Sequence, residues 1–133
     1  MEEEITLNFL DHVALRVADP ERSVEWYGEV LGLQAHRLPE WGDFPIFLLA
    51  GKCGVALFPA TGPGLDPTTK AVKVDHFAFN VDQDNFARAR ARYEQLGLVH
   101  HVRDHHYYHS LYTRDPDGHL VELTTLVAAE PPF

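Results

Sequence analysis

Two histidines in this chain occupy positions from which they can bind a common metal ion. His12 in LDHVALRV and His76 in VDHFAFNV hold equivalent places in two similar segments, and each segment is followed by a helical stretch and a Leu-Gly-Leu triplet. A repeated unit related by a pseudo-twofold axis brings equivalent positions together. The duplication therefore predicts that the two histidines approach one point.

Glu122, in the last predicted strand, supplies a third donor. Its neighbours in HLVELTT are mainly apolar, and a carboxylate on such a strand is costly to bury unless a cation pairs with it. Two imidazoles and one carboxylate are a common ligand set for divalent transition metals. We expect His12, His76 and Glu122 to bind one divalent metal ion whose remaining coordination positions stay open to substrate.

The pattern along the chain predicts one α+β domain built from two βαβββ modules. Residues 9–17 and 74–81 alternate polar and apolar side chains as strands do, and Asp19-Pro20 is typical of a helix start. Both histidines fall on the sheet faces opposite the helices. Together with the duplication, this placement predicts two modules related by pseudo-twofold symmetry, which form an open curved sheet around a metal-centred cavity. We place module one at about 9–59, a linker at 60–71, module two at about 72–126 and a tail at 127–133.

Composition excludes several classes of partner. The net charge of −9 disfavours nucleic acid, and no apolar run approaches the roughly 20 residues that cross a bilayer. The acidic N-terminus and the single cysteine, Cys53, favour a cytoplasmic protein. We expect its partner to be a small-molecule substrate. Arg88, Arg90 and Arg92 are spaced two apart on the second predicted helix, which indicates a solvated surface. A chain this short is expected to form a homodimer.

The segments around the three donors resemble the vicinal oxygen chelate superfamily of glyoxalases, extradiol dioxygenases, fosfomycin-resistance transferases and bleomycin-binding proteins. The resemblance covers LDHVAL, VDHFAF and YTRDPDGHLVEL, within residues 9–126. It implies that His12, His76 and Glu122 are ligands for Fe(II), Mn(II), Zn(II) or Ni(II). Some members have a fourth donor in module one, and we align Leu57 with that position. Leucine cannot coordinate a metal, which argues against glyoxalase I and the acyl-CoA epimerases of the superfamily.

The turn Asp115-Pro116-Asp117-Gly118 fixes the register of the hairpin before Glu122. A type I turn with a glycine bulge pairs Asp115 with His119 and places Tyr112 opposite Glu122. The segment from Leu111 to Glu122 resembles the extradiol dioxygenase signature, in which a histidine stands a few residues upstream. This resemblance implies catalytic roles for Tyr112 and His105. His106 and His109 remain alternatives to His105, and we expect His100, His101 and His119 at the surface.

The favoured function is therefore an Fe(II) extradiol-type dioxygenase for a small catechol-like substrate. We expect the apolar wall of its cavity to include Phe47, Leu57 and Leu120. One alternative is a fosfomycin-resistance-type thiol transferase or another metal-dependent lyase or isomerase. The absence of a basic residue after Glu122 counts against phosphonate binding. The other alternative is a metal-free drug-sequestering protein, and the intact donor triad counts against it. The sequence leaves open whether the site lies within one chain or across a dimer.

Overall fold

A computed structural model describes residues 6, 8–61, 74 and 76–132 of the chain. Module one consists of β1 (His12–Val17), α1 (Pro20–Leu31), β2 (Gln34–His36), a 3-10 turn (Pro39–Trp41), β3 (Ile46–Ala50) and β4 (Cys53–Pro59). Module two consists of β5 (His76–Asn80), α2 (Gln83–Gln95), β6 (His100–Asp104), β7 (Tyr108–Arg114) and β8 (Leu120–Leu126). Most of the predicted linker, from residue 62 to 71, and Phe133 of the predicted tail lie outside the described residues.

Each module forms its own four-stranded mixed sheet. The strand orders are β1-β4-β3-β2 and β5-β8-β7-β6. In both sheets the first and last strands of the module pair in parallel, while the remaining pairs are antiparallel. The predicted α+β class with paired βαβββ modules is confirmed. None of the helices in the described part of the chain is long and apolar enough to cross a bilayer.

Both helices begin at an aspartate cap. The Asp19 carboxylate accepts a hydrogen bond from the backbone N–H of Arg22, and the Asp82 carboxylate accepts one from the N–H of Asn85. These bonds satisfy amide groups that have no partner within the helix. The first helix ends at Gly32, whose φ of 72° is a left-handed conformation that glycine adopts without strain. The two helix starts therefore follow from local sequence alone.

The modules pack against each other through the helix-side faces of their sheets. Val121 of module two lies in one apolar cluster with Leu15, Val17 and other residues of module one. A second cluster joins Val30 of α1 to residues of module two, namely Phe86, Tyr93, Leu111 and Leu123. We call the opposite side of each sheet its open face. Because the helix-side faces form the shared core, the two open faces lie away from it.

The turn between β7 and β8 links the modules through polar contacts. The Tyr27 hydroxyl donates to Asp115 at 2.7 Å, and the backbone N–H of Ala18 donates to Asp117 at 2.9 Å. The turn has the predicted register, since the N–H of Asp115 donates to the carbonyl of His119. Gly118 adopts the left-handed conformation that the bulge requires, with φ of 88°. The turn thus serves both as a hairpin and as a bridge to α1.

Candidate metal and substrate site

His76 and Glu122 lie side by side on the open face of module two. The parallel pairing of β5 with β8 places His76 beside Leu120 and Ala78 beside Glu122. The Nε2 atom of His76 is 3.1 Å from a carboxylate oxygen of Glu122, and the glutamate side chain is only about one tenth exposed. Two donors bound at right angles, each about 2.1 Å from one metal ion, are about 3 Å apart. The pair therefore fits two positions of a coordination shell.

His12 lies on the open face of the other sheet. Its Nδ1 atom is 2.8 Å from the carboxylate of Asp11, and the edge of its ring packs against Phe47 at 5.0 Å between ring centroids. Within the described part of a single chain, no three histidine, cysteine, aspartate or glutamate side chains gather into a group that could bind a metal. The duplication therefore does not bring His12 to the His76–Glu122 pair within one chain. The metal role of the three residues stays a prediction.

Tyr112 lies over Glu122, as the turn register predicts, because β7 and β8 pair these two residues directly. The Nε2 atom of His105 is 3.0 Å from the Tyr112 hydroxyl, a hydrogen-bond distance. Burial raises the pKa of the Tyr112 phenol, and the neighbouring Glu122 carboxylate raises it further. The phenol is therefore protonated near neutral pH and is able to donate a hydrogen bond toward the cavity.

Of the three histidines considered as an acid or base, namely His105, His106 and His109, His105 is the one whose ring nitrogen contacts Tyr112. His106 packs against Tyr107, and His109 is 3.9 Å from the Asp104 carboxylate; neither lines the cavity. His101 is exposed, as expected, but it also lines the cavity, and its ring stacks on Tyr112 with centroids 4.9 Å apart and planes 14° apart. Alternation along β6 places positions 101, 103 and 105 on one face, and this signal could have identified His101.

A cavity of about 660 Å³ opens beside this group. Leu120 is among the residues that line it, and its contact with substrate stays a prediction. Its full lining consists of His76, Gly97, Leu98, Val99, His101, Arg103, His105, Tyr112, Thr113, Arg114 and Leu120. Phe47 lies instead beside His12 on the other sheet. The prediction for Phe47 therefore depends on where the open face of module one is placed relative to this cavity.

The prediction that Leu57 contacts substrate is wrong. Its side chain is fully buried in the apolar core with Leu15 and Val55. The alignment of the two modules was displaced by one residue, because β1 and β4 pair Ala14 with Ala56 just as β5 and β8 pair Ala78 with Glu122. Ala56 is therefore the counterpart of Glu122. Alanine has no donor atom, so the conclusion that module one lacks a fourth ligand is unchanged.

Two arginines that the sequence pattern did not single out line the cavity. Arg103 comes from β6 and Arg114 from β7, and no acidic residue is among the residues that line the cavity. Arg114 also donates to the carbonyl of Gly118 at 2.8 Å, which helps to fix its position. The absence of a basic residue after Glu122 counted against an anionic substrate. Strand pairing brings Arg103 and Arg114, which precede Glu122, to the cavity, so an anionic substrate is compatible with the site.

The paired modules and the histidine–glutamate pair define the vicinal oxygen chelate class. Residues 9–123 match the model of the glyoxalase/bleomycin resistance protein/dioxygenase superfamily, and the chain belongs to this superfamily. The predicted superfamily is thus confirmed. Over 117 residues the chain is 32% identical to the glutathione transferase FosA of Serratia marcescens, covering 88% of this chain and 80% of that protein.

Solved structures agree with this assignment. The fosfomycin resistance protein FosX of Mesorhizobium loti is 26% identical, with a TM-score of 0.64 over 92% of this chain and 95% of that one. A glyoxalase/dioxygenase from Nostoc punctiforme has a TM-score of 0.71 over 96% of this chain and 100% of that one, and at 22% identity it supports the fold alone. Of these three relatives, the two with the higher identities are named as a glutathione transferase and a fosfomycin resistance protein.

Proposed function

We propose that this protein is a metal-dependent transferase that adds a thiol to a small electrophile carrying an anionic group. The observation that carries the proposal is the pairing of His76 with Glu122 at 3.1 Å beside a cavity lined by Arg103 and Arg114. The 32% identity to glutathione transferase FosA supports the same reaction class. The predicted dioxygenase has weaker support, because the relative at 32% identity is named as a glutathione transferase.

In this proposal the metal site is shared by two copies of the chain. Alternation along β1 exposes His12 and Ala14 and buries Leu15 and Val17 in the core that joins the modules. The open face of module one therefore points away from the core of its own chain, as does the face that carries His76. A second copy placed against these faces would bring its His12 to the His76–Glu122 pair, and this requirement supports the predicted homodimer.

The side chains around the cavity have separate tasks. The bound divalent ion would act as a Lewis acid toward an oxygen of the electrophile. Tyr112 donates a hydrogen bond from its protonated phenol, and His105 orients that phenol through the 3.0 Å contact. Arg103 and Arg114 hold the anionic group by charge-assisted hydrogen bonds. These contacts fix the electrophile in one orientation, which lowers the entropic part of the barrier.

The reaction proposed for an epoxide substrate is a simple addition. The thiol sulfur forms a bond to a ring carbon as the carbon–oxygen bond of that carbon breaks. The proton that the thiol loses is found on the released oxygen in the product, so no oxidant or reductant is consumed. Negative charge develops on that oxygen during the step, and donors placed toward it stabilise the transition state more than the ground state.

The test is an assay with glutathione and fosfomycin, which is a small epoxide with a phosphonate group. Metal-free protein is loaded anaerobically with Mn(II), Fe(II), Ni(II) or Zn(II), and the adduct is followed by mass spectrometry. We expect adduct from the wild type and from the control Glu25→Gln, which alters an exposed residue of α1. Glu122→Gln should form none. Absence of adduct with every metal would contradict the proposal.

An extradiol dioxygenase is the second candidate, and the contact between His105 and Tyr112 is the observation that favours it. An imidazole hydrogen-bonded to a phenol beside an open metal site can move a proton from a diol. The same Fe(II)-loaded protein is therefore mixed with a set of catechols while oxygen uptake is recorded. Oxygen uptake with a coloured ring-opened product, together with no thiol adduct, would establish this candidate in place of the transferase.

A further inference from the structure

A second cavity lies between the two modules, on the side of the sheets that carries the helices. Its volume is about 230 Å³, and it does not share a lining residue with the cavity beside His76. Val30 and Leu33 form its wall in module one, while Phe79 and Leu123 form the wall in module two. These apolar side chains make a site for a hydrocarbon group at the junction of the modules.

The charged residues at this cavity are arginines. Arg88 and Arg92 line it and are four residues apart, so they lie on the same side of α2. No aspartate or glutamate is among its lining residues, although the chain carries a net charge of −9. Arg88 also donates to the side-chain oxygen of Asn85 at 3.2 Å, which orients its guanidinium group. All three arginines are exposed, as predicted, but Arg90 is not among the residues that line the cavity.

We propose that this cavity binds a small amphiphilic anion, with its carboxylate against Arg88 and Arg92 and its alkyl chain against the partly exposed side chains of Leu31, Phe79 and Val81. Guanidinium groups bind carboxylates through paired charge-assisted hydrogen bonds. The volume is below the roughly 300 Å³ of typical drug-sized sites, which suits a single chain of about eight carbons. Charge complementarity and cavity size thus point to the same class of ligand.

The test is a calorimetric titration, in which sodium octanoate is added to metal-free protein and the heat of binding is measured. We expect saturable binding of one octanoate per chain. The double variant Arg88→Gln/Arg92→Gln should bind at least about tenfold more weakly, since it removes both charged donors. Arg90→Gln is the matched control on the same helix and should bind as the wild type does. Circular dichroism and the Tm verify that all three proteins are folded.

Three outcomes would overturn the proposal. Octanamide has the same chain without the charge, and equal affinity for it would exclude recognition of an anion. Unchanged octanoate affinity in the double variant would exclude this location, and the absence of saturable binding would exclude the site altogether. The assay contains neither metal nor thiol, so its result does not depend on the transferase proposal.

Discussion

The two modules follow the same path of strands and helix but carry different chemistry on their open faces. Module two presents His76, Glu122 and Tyr112 beside the larger cavity. Module one presents His12 against Phe47, and Ala56 occupies the position that corresponds to Glu122. The parallel pairing of first and last strands is common to both modules. The two copies of the unit thus share a backbone, while most polar side chains of the candidate site belong to module two.

The buried tyrosines of the two helices also differ in their hydrogen bonds. The Tyr27 hydroxyl in α1 donates to Asp115 at 2.7 Å, whereas the Tyr93 hydroxyl in α2 is buried with no hydrogen-bond partner among the described residues. Both tyrosines are fully buried, and each accepts a backbone hydrogen bond from the leucine that follows the helix-ending glycine. The hydroxyl groups at these equivalent positions therefore differ, because Tyr27 has a hydrogen-bond partner and Tyr93 has none among the described residues.

The strongest test of the asymmetry between the open faces is a mixture of two inactive variants. His12→Ala and Glu122→Ala should each lose metal and transferase activity. If the site is shared between protomers, unfolding and refolding them together should restore roughly a quarter of the wild-type sites, because half of the dimers are mixed and each mixed dimer has one intact site. Metal content and activity are measured before and after mixing. Recovery of neither would show that the site is not shared.

Asp115→Ala should have the largest effect on stability. The buried carboxylate accepts hydrogen bonds from the Tyr27 hydroxyl and from the backbone N–H groups of Asp117 and His119. Its removal leaves several buried donors unpaired, and we expect a loss of about 3 kcal/mol in the free energy of unfolding in urea. Asp117→Ala is the matched control in the same turn and should cost about 1 kcal/mol. Equal losses would contradict the assigned role of Asp115.

Tyr112→Phe separates metal binding from turnover in module two. The phenol is not among the predicted ligands, so the variant should retain its metal, while loss of one donated hydrogen bond should lower kcat by about tenfold to a hundredfold. Metal content is measured on the same sample as kcat. Metal loss equal to that of Glu122→Ala would refute the division of roles between the two residues.

The two helix tyrosines should respond to loss of the hydroxyl with opposite signs. Tyr27→Phe removes a donor from a buried carboxylate and should destabilise the protein by about 1 to 2 kcal/mol. Tyr93→Phe removes a hydroxyl that is buried without a partner and should stabilise it by up to about 1 kcal/mol. Urea unfolding of the pair measures both. A destabilised Tyr93→Phe would mean that its hydroxyl has a partner such as a buried water.

Alkaline pH should increase the difference in stability between Tyr93→Phe and the wild type. Burial raises the pKa of Tyr93 to about 12 from its ordinary value of 10.0, so the folded state resists ionisation that the unfolded state undergoes. The contribution of the protonated Tyr93 to the free energy of unfolding is complete below pH 10 and is lost as the pH rises toward 12. The advantage of Tyr93→Phe over the wild type should therefore widen by about 1 kcal/mol between about pH 9 and pH 11. A constant difference would contradict the raised pKa.

Local pattern was sufficient to predict much of this molecule. The alternation around His12 and His76, the Asp19 cap and the Asp115–Gly118 turn each depend on residues close in sequence, and the structure agrees with them. The pairing of Tyr112 with Glu122 followed from the turn alone. The error at Leu57 arose because the modules differ in length between their helix ends and their last strands, and a shift of one residue moves a strand side chain to the opposite face.

The duplication, the order of elements and the faces of each strand could be predicted from the sequence, because they follow from short-range backbone geometry. Three features required the packed structure: the helix-side faces join the modules, His12 stays apart from Glu122 within the described chain, and arginines from β6 and β7 line the cavity. Such outcomes depend on the packing of surfaces from distant parts of the chain. Periodicity assigns a side chain to a face but does not say what that face meets.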